Sequence, residues 1–187
     1  MNYNLYEFSK GPTNIKFHKL VYGMLTAFNY ATILFLAVSL VIAISIDNWA
    51  YVSVAVFLGA YFLTKYILKH FYNFYDYTFV SGSVRIIKVE NNKRRRLLSN
   101  FDAKNMVSLG KVGGETYTKY VSNKQITKIV ACPDGVCDDD IAIYYSENGE
   151  NKLLIIPFDE MFLAVLTRYT GNRKIDKDFL ETLKSND

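Results

Sequence analysis

From Leu20 to Ile46 the chain carries no formal charge over 27 residues. No other feature narrows the possible folds so far, because about 20 apolar residues wound as a helix already match the hydrocarbon thickness of a bilayer. Asp47 and Asn48 break the run. Trp49 to Thr64 then forms a second uncharged stretch, which Tyr66, Ile67 and Leu68 extend past Lys65. The pair predicts a transmembrane helical hairpin over residues 20–70. A buried hairpin in the core of a soluble protein is the competing explanation, and the length of the runs weighs against it. A cleaved signal peptide fits worse, because the apolar run is too long, begins near residue 20 and lacks a small-residue cleavage pattern.

Charge then sets the orientation. The 187 residues hold 22 Lys and Arg against 18 Asp and Glu, a net +4. From Phe71 onward the balance is 17 to 16, so the excess lies around the apolar runs. Lys10, Lys16 and Lys19 precede the first run and Lys65 and Lys69 close the second, while the turn between carries only Asp47. Cations gather on the cytoplasmic side of a membrane, so a multi-pass protein of the cell membrane with cytoplasmic N- and C-termini is predicted. Trp49 and Tyr51 suit an outer aromatic belt. Tyr61, Tyr66, Phe71, Tyr72, Phe74 and Tyr75 suit an inner one. Gly23, Ala27 and Ala31 recur every four residues in the first span, as do Ala55 and Gly59 in the second. Small side chains at that spacing let helix backbones approach, so these faces are expected to pack within the hairpin or between protomers. Asn29, strongly polar inside a span, is expected to bond across the helix pair.

Past residue 73 the apolar period changes from helical to alternating. "YDYTFVSGSVRIIKVENNKRRRLLSNF" reads as three strands with turns at Ser81-Gly82-Ser83 and at Asn91-Asn92-Lys93. "MVSLGKV" and "QITKIVAC" read as further strands, and "ETYTKYV" as one more candidate. "IAIYYSENGENKLLIIP" is a hairpin closed by Asn148-Gly149. Seven strands result. One amphipathic helix follows in "PFDEMFLAVLTRYTG", where Phe158, Met161, Phe162, Val165, Leu166 and Tyr169 share a face. Pro157 suits its start and Gly171 its stop. The predicted class is α+β: a transmembrane hairpin, then a seven-stranded antiparallel barrel or sheet capped by a C-terminal helix. In residue numbers, 1–19 is an N-terminal cytoplasmic or interfacial tail and 73–171 the β-domain. Residues 172–187 form a tail with a weak helical pattern at Ile175, Phe179, Leu180 and Leu183.

Antiparallel strands closed by one amphipathic C-terminal helix form the pleckstrin-homology (PH) pattern. With "YDYTFVSGSVRIIKVENNKRRRLLSNFDAKNM" the chain resembles an uncharacterised family of membrane proteins from Gram-positive anaerobes, which have two N-terminal spans and a PH-like cytoplasmic domain. The resemblance implies architecture and location, and no activity.

The densest charge in the chain is Lys93, Arg94, Arg95 and Arg96. Strand alternation places Arg94 and Arg96 on one side and Lys93 and Arg95 on the other. Three explanations compete. Charge protects an edge strand against sheet-to-sheet pairing, the run touches anionic lipid headgroups, or it binds nucleic acid. The last is disfavoured by a domain charge near zero and by the lack of a recognised RNA or DNA signature. PH domains that bind lipid usually place their cations at the first hairpin turn. Here that turn would be Ser81-Gly82-Ser83, with only Arg85 and Lys88 near it.

Chemistry-bearing constellations are sparse. Cys132 and Cys137 bracket "PDGV" beside Asp138, Asp139 and Asp140, but a structural zinc site takes four ligands, and His18 and His70 border the spans. The acidic run lacks the spacing of a calcium loop. Gly110 to Gly114 is not followed by the Lys-Ser/Thr of a phosphate loop. No metal, no cofactor and no catalytic residue are therefore expected. The sequence points to a non-enzymatic, membrane-anchored binding or scaffolding module whose partner is an unidentified protein or a second copy. The alternative is a small accessory or regulatory subunit of a membrane complex or transporter.

Overall fold

The computed structural model describes residues 5–45, 49–71, 73–90, 94–171, 174–177 and 179–180. It divides into a unit made of Pro12–Asn73 and Glu90–Asn92, here the helical unit, and a β-rich unit that draws on residues from both sides of the helices.

The helical unit holds α1 (Ile15–Ser45) and α2 (Ala50–Phe71). At 1.5 Å per residue these are about 46 and 33 Å long, and both are long and apolar enough to cross a membrane. Their seam is polar and small: Thr32, Ser39 and Ala43 of α1 and Thr64 of α2 are buried. Asn29 donates to the Tyr61 carbonyl at 3.4 Å, the cross-helix bond its position called for. Thr32 and Thr64 return their hydroxyls to Phe28 and Ala60 of their own helices, each at 2.7 Å. Large apolar side chains point outward, among them Met24, Leu34, Ile44, Val56 and Leu63. Side chains added at Gly23 or Gly59 would meet open space, and Ala27 and Ala55 are exposed, with Ala31 half-buried. Within this chain, therefore, other positions make the helix contact. The turn at Asp47-Asn48 lies outside the described residues.

The β-rich unit is two four-stranded sheets. The first has the order β1-β2-β3-β4, from Leu5–Lys10, Asn73–Val80, Ser83–Glu90 and Arg94–Asp102. The second is ordered β5-β7-β8-β6, from Met106–Lys111, Ile141–Glu147, Glu150–Ile156 and Thr127–Val130. This replaces the expected seven-stranded barrel, and the added strand is β1, in the segment expected to be a tail. It pairs antiparallel with β2 from Leu5↔Val80 to Lys10↔Tyr75. Tyr6 and Phe8 alternate inward from it. Phe8 stacks on Tyr77 at 4.5 Å and meets Phe162 edge-on at 5.6 Å. The expectation of wholly antiparallel pairing is also corrected, because β6 runs parallel to β8.

Both sheets bury one face in a common core. β2 contributes Tyr75, Tyr77 and Phe79, β7 Ile141, Ile143 and Tyr145, and β8 Leu154 and Ile156. Tyr75 is thus a core residue and not part of a membrane belt. Asn148 (φ 52°) and Gly149 (φ 81°) form the β7–β8 turn, the positive-φ pair that a two-residue hairpin requires. The helix α4 (Glu160–Thr170) starts later than Pro157, at Asp159, whose carboxylate accepts from the Phe162 amide at 2.8 Å. Its buried face is Phe162, Leu163, Val165 and Leu166, while Phe158, Met161 and Tyr169 are partly exposed.

"ETYTKYV", a candidate strand by composition, is a helix, α3 (Glu115–Val121). It lies on the outer face of the second sheet, where Tyr117, Tyr120 and Val121 pack on Ile126, Ala142 and Leu153. The Tyr120 and Tyr144 rings stack at 3.7 Å. Here packing outweighs the intrinsic preference of aromatic and β-branched residues for strands. The C-terminal segment is also part of the unit: Ile175 and Phe179 are buried in the main core and Leu180 packs against it. Leu183 lies outside the described residues.

Candidate functional site

The first sheet has two distinguishable ends. At one, β2 turns into β3 at Ser81-Gly82, and β4 finishes beside that turn: Ala103 donates its amide to the Gly82 carbonyl at 2.7 Å. The Ser83 hydroxyl also lies 3.2 Å from Asn100 Oδ1. At the other end lie Lys10, where β1 leaves for α1, and Asn73, where β2 begins after α2. β4 starts at this same end, so Arg94, Arg95 and Arg96 stand two strands from β2, where the chain returns from the helices. The sequence showed the cations but not this placement, because it gave β1 no place in the sheet. With β1 counted, the first hairpin connection of the sheet is the helical unit itself, and Ser81-Gly82-Ser83 is the second.

The three arginines are not equivalent. Arg95 reaches Asp76 on β2 at 3.9 Å, with the arginine side chain 74% exposed and the carboxylate 14% exposed. The Ser9 hydroxyl donates to the same carboxylate at 2.7 Å. Arg94 and Arg96 are exposed and make no ion pair among the described residues. Leu97 beside them is exposed. Lys93 and the turn at Asn91-Asn92 lie outside the described residues.

A second convergence surrounds Asp176. Its carboxylate accepts from the Thr116 amide at 2.8 Å and from the Thr116 hydroxyl at 2.5 Å. Asp176 thereby caps the first turn of α3, whose own cap position is Gly114. Gly110 permits the approach, since a Cβ there would lie 1.9 Å from Asp176 Oδ2. Open clefts of about 390 and 380 Å³ flank this carboxylate. Because both carboxylate oxygens already serve the helix cap, Asp176 acts here as a structural acceptor.

The cysteine loop is built around Asp140, which is buried and accepts from the Cys137 amide at 2.7 Å. Asp139 pairs with Lys111 at 2.9 Å and Asp138 is exposed, so the acidic run is divided between one structural and two surface roles. Cys132 is buried and Cys137 exposed, and both are free thiols. Burial, with Asp140 beside it, pushes the Cys132 thiol up and keeps it protonated. Among the described residues, no group of three His, Cys, Asp or Glu side chains converges as metal ligands would.

One further contact links the first strand to the C-terminal helix. The Tyr6 hydroxyl donates to Asp159 Oδ1 at 2.8 Å, the carboxylate that caps α4. Partial burial and this carboxylate push the Tyr6 hydroxyl up to about 12.

No curated protein and no solved structure matches the chain. A family model described as a bacterial PH-like domain matches residues 19–175, a range that takes in most of α1, all of α2 and the elements from β2 to α4. The family has no assigned function. On that match, which covers most of its length, the chain belongs to the bacterial PH-like domain family.

Proposed function

We propose that the protein is a non-enzymatic, membrane-anchored PH-like module that binds or scaffolds a protein partner on the cytoplasmic face of the cell membrane. The observation that carries this reading is the pairing of β1 with β2 across the helical unit. Two strands of one sheet, one on each side of the hairpin in the chain, must lie in the same compartment. A hairpin that crosses the bilayer twice satisfies this, and a single crossing does not. Lysines at both outer ends of the hairpin support the cytoplasmic side for that compartment. The first span carries no formal charge between Leu20 and Ile46, which argues against transport as its own activity.

A second reading has one observation in its favour. Gly23 and Gly59 face open space on the outside of the helix pair, as they would if spans of another protein covered them in a larger complex. Exchange of residues 15–71 for an unrelated two-span hairpin, followed by capture from detergent extracts, separates the two. Under the module reading the β-rich unit retains its partner. Loss of the partner with an intact β-rich unit favours an accessory subunit that works through its spans.

A further inference from the structure

We infer that the end of the first sheet holding Arg94 and Arg96 docks on anionic lipid headgroups of the bilayer that holds α1 and α2. The inference rests on the membrane-anchor reading and adds a partner and two contact residues to it. Three observations lead there. The first is connectivity: β2 begins two residues after α2 ends, a reach of about 7 Å, and β4 starts at that same end of the sheet. Strands lie about 4.8 Å apart, so β4 stands about 10 Å to the side of β2, close to one Debye length at 0.1 M salt.

The second observation is the division of labour among the cations. Asp76 neutralises Arg95, whereas Arg94 and Arg96 are exposed without an ion pair among the described residues. Lys10, exposed at the same end, adds a third cation. The third is chemical: a guanidinium presents two parallel donors that match phosphate oxygens, and three arginines fill this stretch of β4 where lysines would serve solubility equally well. A sheet edge protected only by charge needs neither the arginine fork nor a position at the membrane-connected end. The β-rich unit is nearly neutral as a whole. Contact therefore depends on these few residues, and recruitment is left to the spans.

The test uses the full chain in nanodiscs of neutral phosphatidylcholine, or of phosphatidylcholine with phosphatidylglycerol, read by amide hydrogen exchange. Exchange of Arg94 to Leu97 should be slower in the anionic discs, while Ser83 to Arg85 at the far end should not change. Neutralising both arginines (R94Q/R96Q) should abolish the difference, roughly fivefold for each charge removed. R94K/R96K, which keeps the charge but loses the fork, should retain only part of it, and R95Q should change it little. Equal exchange in both discs, with the chain still held by them, overturns the inference and leaves the anchoring reading intact. A chain that fails to stay with either disc overturns both. Protection produced in neutral discs by inorganic phosphate alone also overturns it, since the ligand would then be a soluble anion.

Discussion

The helical unit and the β-rich unit are both rich in apolar residues, yet they place them in opposite directions. In the β-rich unit Tyr77, Ile86, Leu109, Tyr145 and Phe162 are at most 1% exposed. In the helices only 17% and 6% of the most apolar windows is buried. Thr32, Ser39 and Thr64 fill the seam while leucines and phenylalanines face out. Two units of one chain cannot follow such opposite rules in one solvent. Water drives apolar groups inward, whereas in hydrocarbon there is no such drive between helices, and small and polar residues make the contacts. The contrast is what the proposed anchoring requires: hydrocarbon around the helical unit and water around the β-rich unit.

Two substitutions break the contrast in opposite ways. Phe162→Ala removes an aromatic ring from the β-rich core, where it meets Phe8 and Tyr6. A loss of about 3–5 kcal/mol is expected. Chemical denaturation followed by near-ultraviolet circular dichroism should show the β-rich unit destabilised, while the chain stays in the membrane fraction. Leu34→Asp changes a side chain that is 65% exposed. On a helix in water such a change lies within about 0.5 kcal/mol. At the centre of a span it costs about 3 kcal/mol of insertion, and the fraction resisting alkaline extraction should fall sharply.

A smaller effect sharpens the link between the first strand and the rest of its unit. Tyr6→Phe deletes the bond to Asp159, with an expected loss of about 1 kcal/mol. The folded-state pKa of Tyr6 is about 12 against 10.0 unperturbed. Its contribution is therefore complete below pH 10 and declines as pH rises from 10 toward 12. Denaturation midpoints across that window should fall less steeply in the Tyr6→Phe protein than in the parent. Identical slopes would show that β1 does not hold this position in solution.

Much of this was legible in the sequence. The two long apolar helices follow from the charge-free runs, and β2 to β4 and the β7–β8 hairpin follow from alternation and positive-φ turn residues. β1 was not legible. Its inward Tyr6 and Phe8 are only two residues, and its partner β2 lies beyond the whole hairpin, so no local pattern announces the pairing. α3 was misread because Tyr and Thr prefer strands, although Tyr117, Tyr120 and Val121 already had the spacing of a helix face. For α4 the start was placed too early: Phe158 and Met161 fit the helical period, but Asp159 caps the helix and turns both toward solvent. Alternation set Arg95 apart from Arg94 and Arg96 as an expectation. What it could not reveal was that Asp76, from a strand two places away, claims only Arg95.

The central claim is that β1 and the rest of the β-rich unit share one side of a membrane that the helices cross twice. Sealed cells treated with a membrane-impermeant maleimide test it through three exposed positions: native Cys137, Glu7→Cys on β1, and Trp49→Cys at the start of α2. The Trp49→Cys protein should be labelled in intact cells, and Cys137 and Glu7→Cys only after permeabilisation. Labelling of Glu7→Cys and Cys137 from opposite sides would contradict the account, because the strand pair that joins them could not then exist.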